Sequence, residues 1–271
     1  MHAGVQELIS ARELTGNLVK RDLKVRHRGT FLGMLWSFMT PLLIVGLYSF
    51  IFTFIFDAAP VVDQPRPDGN KVPFVVYFFA GLTIWNLFSA AVGASTGSVT
   101  GSAYLLSKVY FPRAILPISV VLSSLVTFVF ELAVLLTATL LFVGLPSAHL
   151  LWLPVIVLVV GTLALGLALL LSAVTVFLRD IPHFIGVLLQ LWFWSTPILY
   201  SLQFVADRPG LTALLKLNPM TGLVISFRNV MLLNQAPSAK LLVYDALVAL
   251  VVLAVGARVF YRAQRLFPEM V

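Results

Sequence analysis

Six apolar segments are the feature that most limits how this chain can fold. Each is long enough to cross a hydrocarbon core of about 30 Å as a helix that rises roughly 1.5 Å per residue. A backbone amide in lipid has no water to bond, so a spanning segment must pair its amides internally. The sequence therefore predicts an all-α polytopic membrane protein with six transmembrane helices, at about residues 31–56, 73–97, 115–144, 151–178, 184–203 and 241–261.

The composition supports lipid as the solvent for this chain. Apolar residues make up 60% of the 271 residues and charged residues only 11%, about half the charged fraction of a soluble domain. The net charge of +7 comes from Lys and Arg at the ends of apolar segments, which favours contacts with lipid headgroups and argues against a nucleic-acid partner. Cysteine is absent, which excludes disulfides and Cys-ligated metals. No cleavable signal peptide is expected, because the first thirty residues lack a continuous apolar core.

The junction at residues 20–41 marks where the membrane begins. Five cations lie within residues 20–28, and residues 31–56 then contain no charge at all. We predict that residues 1–30 form an amphipathic helix on the cytoplasmic membrane surface, whose apolar side carries Val5, Leu8, Val19 and Leu23. Leu14 and Leu18 fall near its charged side, and the alternative interpretation is a mobile basic tail. Residues 31–271 are predicted to form the transmembrane domain.

The distribution of cations predicts the orientation of the spans. With the N-terminus inside, the inner segments hold twelve Lys and Arg residues and the outer segments hold six. Cytoplasmic connections carry an excess of Lys and Arg. Both termini are therefore expected in the cytoplasm.

The connection between the last two predicted spans is not an ordinary loop. Residues 211–217 and 223–233 are apolar stretches that are too short to span, and Asn218-Pro219 separates them. Short interrupted apolar pieces are typical of re-entrant or interfacial helices. They form either an outer exit gate or a helical surface cap. The polar and punctuating residues of this predicted gate are Lys216, Asn218, Pro219 and Arg228.

Enzymatic activity finds little support in the sequence. The four histidines lie in termini or connections and share no metal-ligand spacing. No phosphate-binding loop of the form G-x-x-x-x-G-K-[ST] occurs. We therefore expect no catalytic residue, no metal site and no cofactor bound by this chain.

Glu131 is an acid near the middle of the third predicted span. A carboxylate at this depth must face the interior, be paired, or be protonated. It either contacts a polar substrate or basic partner, or it makes one interhelical hydrogen bond that fixes packing.

Glycines spaced by four in the second predicted span, and small residues in the fourth, predict close helix packing within or between subunits. These residues are Gly93, Gly97 and Gly101 in the second span, and Gly161, Ala164, Ala168 and Ser172 in the fourth.

The inner connection 102–114 is short, amphipathic and closed by Pro112. It is suited to docking a cytosolic partner through Tyr104, Lys108, Tyr110, Phe111 and Arg113. The alternative is a simple re-entry turn.

Aromatic side chains are concentrated in the first and fifth predicted spans. Sugars present C–H faces that stack on aromatic rings, so these residues could line a sugar-conducting passage; lipid-facing packing is the alternative. The proposed lining residues are Trp36, Tyr48, Trp192, Phe193, Trp194 and Tyr200.

The order of these parts resembles the membrane subunit of ABC-2 type polysaccharide exporters. The residues that carry the resemblance are LVKRDLKVRHRGTFLGMLWSFMTPLL, SKVYFPRAILP, FLRDIPH, WSTPILY and LNPMTGLVISFRNVML, and they extend over essentially the whole chain. The resemblance implies a homodimer in the bacterial inner membrane, joined by two copies of a separate cytosolic ATPase subunit that binds ATP and Mg²⁺.

The same resemblance implies roles for several parts of the chain. Residues of about 5–28 would be the interface helix, 102–113 the coupling helix and 207–233 the outer gate. The cargo would be a lipid-linked glycan such as O-antigen, galactan or teichoic acid, with its pyrophosphate near Arg21, Arg26 or Arg28. The alternative function is export of a small hydrophobic drug or lipid through the same architecture.

Overall fold

The computed structural model describes residues 12–26, 36–51, 72–108 and 111–270. Within these ranges the chain is helical and contains no strand, which confirms the predicted all-α class. Its helices are α1 (Arg12–Arg26), α2 (Trp36–Phe50), α3 (Phe74–Ser95), α4 (Ala103–Lys108), α5 (Ile115–Phe142), α6 (Leu153–Phe177), α7 (Ile181–Trp194), α8 (Pro209–Leu217), α9 (Pro219–Met231), α10 (Ala239–Ala263) and α11 (Phe267–Met270).

Four helical stretches of the described chain are long and apolar enough to cross a membrane. They are Phe74–Ser95, Ile115–Phe142, Ala148–Phe177 and Ala239–Leu266. Helices α8 and α9 meet at 89° and add a fifth span if they form one broken crossing. The chain is therefore a multi-pass membrane protein, with four or five candidate spans in the described ranges.

Helices α2 and α7 have 15 and 14 residues, fewer than the roughly 20 that a straight crossing needs. The predicted first span extends beyond α2 on both sides, into residues outside the described ranges. The predicted fifth span, 184–203, continues beyond the last residue of α7. Pro197 accounts for that early end, because proline has no backbone N–H and disfavours helical geometry at the preceding residue.

Helix α3 lies at the centre of the molecule. It packs against α2, α5, α6, α7 and α9. Large side chains along it, including Phe78, Ile84 and Phe88, are completely buried. Helices α5 and α10 are peripheral by comparison, and both present apolar outer faces such as that of Leu141 and Val251. Its central position lets α3 contribute Tyr77 and Gly81 to a buried polar site around Arg228.

Helices α6 and α10 cross closely through two glycines. A Cβ at Gly166 would lie 2.6 Å from the backbone nitrogen of Leu253, and one at Gly256 would overlap the carbonyl oxygen of Gly166. Ala164, Ala168 and Ser172 of the predicted small face are fully buried on α6. By contrast, no described atom lies within 4 Å of a Cβ built at Gly97, Gly101 or Gly161. The close approach within the chain therefore uses glycines other than those that the spacing pattern selects.

Apart from the core around α3, a separate group of buried side chains, the inner cluster, forms at the end of the bundle that holds α1. Leu18 of α1, Ile115 at the start of α5, and Phe260 and Phe267 near the C-terminus are all buried in it. Both ends of the described chain therefore pack together on one side of the helices.

Candidate functional site

A buried polar site surrounds Arg228 of α9, whose side chain is only 2% exposed. Its Nε donates to the Tyr77 carbonyl oxygen at 3.1 Å, and its Nη groups donate to the carbonyl oxygens of Pro197 at 2.6 Å and Ile198 at 2.5 Å. The guanidinium carbon also lies 3.7 Å from the centroid of the Tyr77 ring. Arg228 thus joins α9 to α3 and to the turn that follows α7.

The sequence of this turn explains why it needs a cation. Helix α7 ends at Trp194, before Pro197, so the carbonyl groups that follow have no helical partners. Irregular backbone in a membrane protein is tolerated only where protein or water supplies its hydrogen bonds. A guanidinium offers five N–H donors in a rigid fork and stays charged. One Arg228 side chain therefore satisfies carbonyl groups from two separate segments.

Gly81 of α3 makes room for this guanidinium. A Cβ at Gly81 would overlap the Nη2 atom of Arg228. The two positions are 147 residues apart in the sequence, yet the side chain at one requires the absence of a side chain at the other.

Asn218 forms the corner between α8 and α9. Its Oδ1 accepts a hydrogen bond from the backbone N–H of Met220 at 3.0 Å, which caps α9, and another from the indole N–H of Trp192 at 2.8 Å. Its Nδ2 donates to the Thr196 hydroxyl at 3.0 Å. Asn218 therefore holds the 89° bend between the short helices against the end of α7.

Replacing Asn218 with Ala is expected to lower the free energy of unfolding by about 2 kcal/mol, since it removes a helix cap and two side-chain hydrogen bonds. Thermal unfolding of the purified protein in detergent measures the change. Asn17→Ala, at an exposed position on α1, is the matched control and should shift the midpoint little. Equal midpoints for the two variants would contradict the assigned role of Asn218.

The four predicted gate residues have different environments. Lys216 is exposed at the end of α8, Pro219 is the first residue of α9, and Asn218 and Arg228 belong to the contacts above. Arg228 is also one of the six cations in the predicted outer segments. Its side chain is buried inside the protein, where it bonds to backbone carbonyl groups. A gating role for this group stays a prediction.

Two of the predicted lining aromatics turn toward α3. The Trp192 ring lies 5.0 Å from that of Phe88, and the Phe193 ring lies 5.7 Å from that of Trp85, both edge-on. Such edge-to-face pairs stabilise packing beyond simple burial. Trp85 and Phe88 were not selected from the sequence, although both lie in an apolar span.

The other four predicted lining residues differ in exposure and in contacts. Trp36 and Trp194 are 43% and 51% exposed. The Tyr48 ring packs edge-on against Phe78 at 5.4 Å, and the Tyr200 hydroxyl donates to the Trp194 carbonyl oxygen at 3.3 Å. Their contact with a sugar chain stays a prediction.

Helix α1 docks on α5 through one of its faces. Leu14 and Leu18 pack into the inner cluster, and the Ser123 hydroxyl of α5 donates to the Asp22 carboxylate. The two leucines that fell on the charged side of the predicted wheel thus pack against protein, while Val19 and Leu23 of the predicted apolar side are half-buried. Of the three predicted pyrophosphate ligands, Arg21 is exposed; the Arg26 side chain and Arg28 lie outside the described part of the chain.

Three of the five predicted docking residues of the connection 102–114 lie in the described ranges with their side chains, and their environments differ. Tyr104 of α4 is 71% exposed. Phe111 packs against the inner cluster, and Arg113 donates to the Gln264 carbonyl oxygen at the end of α10. The Lys108 side chain and Tyr110 lie outside the described residues. Arg113 therefore ties this connection to the end of α10.

Glu131 makes an interhelical contact. Asn86 of α3 donates from Nδ2 to both carboxylate oxygens, at 3.2 and 3.4 Å, and Glu131 is buried. This geometry fits the packing interpretation of Glu131, since its hydrogen bond joins α3 to α5.

Asp245 of α10 is a second buried acid, and it was not among the residues predicted from the sequence. Its carboxylate lies against Gly222 in the first turn of α9, where the helix dipole favours a negative charge. Neither carboxylate oxygen has a hydrogen-bond partner within the described ranges. The sequence feature that could have indicated Asp245 is its position as an acid inside the predicted sixth span, near one end. No group of three metal-ligating side chains occurs among the described residues.

Comparison with known proteins defines the class of this helical membrane protein. The family model for ABC-2 type transporters matches residues 13–232, a range that includes α1, the inner connection and the Arg228 site. The chain therefore belongs to the ABC-2 type transporter family.

Its relatives carry a more particular name. An O-antigen export system permease protein RfbA from Myxococcus xanthus is 35% identical over 98% of both chains. Two proteins of the same name from Klebsiella pneumoniae are 25% identical over 93% of both chains, and 26% identical over 90% of this chain and 91% of the relative.

Proposed function

We propose that this chain is the transmembrane subunit of an ATP-driven exporter that moves a lipid-linked polysaccharide across the bacterial inner membrane. The observation that carries the proposal is the 35% identity to an O-antigen export permease over 98% of both chains. Such coverage leaves no large part of the relative without a counterpart here. The names of the relatives favour a glycan cargo over a small hydrophobic drug or lipid.

The proposed topology has six spans and two cytoplasmic termini. Helices α2 and α7 are the proposed cores of the first and fifth spans. The excess of inner cations supports cytoplasmic termini. The packing of Leu18 and Phe267 into one cluster supports placing both termini on the same side.

Energy for transport is proposed to come from a separate subunit. The chain has no phosphate-binding loop of the G-x-x-x-x-G-K-[ST] form, so ATP and Mg²⁺ would bind to two copies of a cytosolic ATPase joined to a dimer of this chain. The exposed Tyr104 supports α4 as the coupling element, because a protruding aromatic ring is a common anchor in protein interfaces.

The proposed path begins at the inner face and ends beneath α8 and α9. Arg21, Arg26 and Arg28 would bind the pyrophosphate of the lipid carrier, because Arg pairs well with phosphate oxygens. The exposed rings of Trp36 and Trp194 are the lining residues that the structure leaves accessible. At the outer end, the exposed α8 is the better candidate for movement, since α9 is buried over most of its length.

Depletion of this protein in its host tests the proposal. We expect loss of surface polysaccharide and accumulation of the lipid-linked glycan inside the cell, and a plasmid copy of the wild-type gene should restore export. Accumulation separates an export defect from a synthesis defect, which would lower the glycan in both places. Normal surface glycan without the protein would refute the proposed function.

A further inference from the structure

Two apolar grooves lie side by side on the surface of α5. The first has a volume of about 810 Å³ and lies between α1 and α5. The second has a volume of about 420 Å³ and lies between α5 and α6. Ile118, Leu122 and Leu125 of α5 line both, so these three side chains form a ridge that separates them.

The first groove combines cations with an apolar wall. Arg12 and Lys20 lie two turns apart on the face of α1 that lines it, and both are exposed. The opposite wall is the apolar face of α5, which continues to Val129. The groove therefore offers a site for an anion at its α1 side and for a hydrocarbon chain along α5.

Both grooves are open because glycines line them. Among the described residues, no atom outside the glycine's own stretch of helix lies within 4 Å of a Cβ built at Gly16 in the first groove or at Gly161 in the second. The hydroxyl of Thr162 in the second groove donates to the Leu158 carbonyl of its own helix at 2.7 Å, so it offers no free donor to a polar ligand. The second groove is thus suited to a hydrocarbon chain alone.

We propose that these grooves bind one anionic phospholipid, with its phosphate at Arg12 and Lys20 and one acyl chain on each side of the Ile118–Leu122–Leu125 ridge. Two parallel apolar grooves match a lipid with two chains, and the cations lie beside only one of them. The ridge lies near the start of α5 at Ile115, next to the buried cluster that holds Leu18. The bound lipid would therefore fasten α1 to the helix bundle, a role that does not depend on what the protein exports.

Native mass spectrometry of the purified full-length chain tests this proposal with phosphatidylglycerol and phosphatidylcholine of identical acyl chains. We expect the double variant Arg12→Gln, Lys20→Gln to bind phosphatidylglycerol roughly 30-fold more weakly, since each cation near an anionic headgroup contributes a factor of about five. Binding of phosphatidylcholine should change little. Lys24→Gln, which is exposed on the same helix and does not line the groove, is the matched control and should retain phosphatidylglycerol.

A steric variant tests the acyl-chain part of the proposal. Gly161→Leu should fill the second groove and weaken binding of both lipids by a similar factor, without any change in charge. Its thermal unfolding midpoint provides a check on folding. Unchanged binding in both the double variant and Gly161→Leu would overturn the proposal.

Competition and cross-linking identify other occupants. Displacement of phosphatidylglycerol by inorganic phosphate alone, or preferentially by a polyprenyl pyrophosphate, would show that the site belongs to a different ligand. Because the chain has no cysteine, Gly161→Cys supplies a unique thiol. A disulfide between two copies at this position would show that the grooves form an interface of the protein with itself, and would also overturn the lipid assignment.

Discussion

Replacing Arg228 with Met is expected to lower the free energy of unfolding by about 3 kcal/mol. The carbonyl oxygens of Pro197 and Ile198, in the turn after α7, lose their donors, and each buried unpaired group costs about 1–3 kcal/mol. Removal of a buried charge offsets part of that cost. Thermal unfolding of the purified protein and the yield of monodisperse material measure the effect.

Arg208→Met is the matched control for this experiment. It makes the same chemical change at an exposed position just before α8, where a shift below about 0.5 kcal/mol is expected. Arg228→Lys should resemble Arg228→Met more than wild type, because a single ammonium cannot reproduce the planar fork. Equal stability of the Arg228 and Arg208 variants would contradict a structural role for Arg228.

Gly81 allows the same contact to be tested from the other side. Gly81→Ala alone should destabilise the protein, because the new methyl group overlaps the guanidinium. The Arg228→Met variant has no guanidinium for the new methyl group to overlap. Adding Gly81→Ala to that variant should therefore lower the free energy of unfolding by less than it does in the wild type. A double-mutant cycle would then show a coupling between the two positions, whereas strictly additive effects would mean that they do not touch.

Replacing Gly256 with Leu is expected to lower the stability of the protein by about 3 kcal/mol or more. A Cβ at this position meets the backbone carbonyl of Gly166. Backbone atoms of two packed helices cannot move aside as a flexible side chain can, so α6 and α10 must separate and lose contacts along their length. The measurement is the thermal midpoint in detergent, together with the fraction of protein that inserts into the membrane.

Gly161→Ala on α6 is the control for this second experiment. The position is open in the part of the chain that the structure describes, where no atom of another segment lies within 4 Å of the added Cβ, and Ala favours a helix over Gly by about 0.5–1 kcal/mol. We therefore expect a neutral or slightly raised midpoint. A Gly256→Leu variant with the same midpoint as Gly161→Ala would refute the close crossing of α6 and α10.

Helix type and many helix ends could be predicted from the sequence. The predicted third span, 115–144, and the described helix Ile115–Phe142 differ at one end only. Two short helices that Asn218-Pro219 interrupts were also predicted, at 211–217 and 223–233, because proline and its neighbours interrupt an apolar run. The structure has them at Pro209–Leu217 and Pro219–Met231, so the second begins four residues earlier than predicted. These features depend on local composition and backbone chemistry, which are readable without knowledge of distant contacts.

The contacts that hold the polar site around Arg228 together could not be predicted in the same way. Arg228 looked like a cation of an outer loop, yet it is bonded to carbonyl groups of Tyr77 and of the turn after α7. A backbone carbonyl gives no signal in the sequence that would identify such a partner. Asp245 was not among the predicted residues, and its complete burial beside Gly222 also depends on how α9 and α10 pack.

The glycines also separate what the sequence can predict from what it cannot. Spacing by four selected Gly93, Gly97 and Gly101, but the closest backbone approach in the described chain that a glycine permits joins Gly166 to Gly256. A glycine at any helical position permits close packing. Which glycine is used depends on where the two helices cross.

By itself, the sequence determined that this chain is a helical membrane protein and where most of its helices begin and end. These properties follow from how residues partition between water and lipid, one segment at a time. Only the tertiary structure decided that Arg228 and Asn218 fasten the short helices α8 and α9, that Trp192 and Phe193 turn toward α3, and that one groove lies between α1 and α5 and another between α5 and α6. Those outcomes depend on the relative positions of helices far apart in the chain, and hydropathy does not encode such positions.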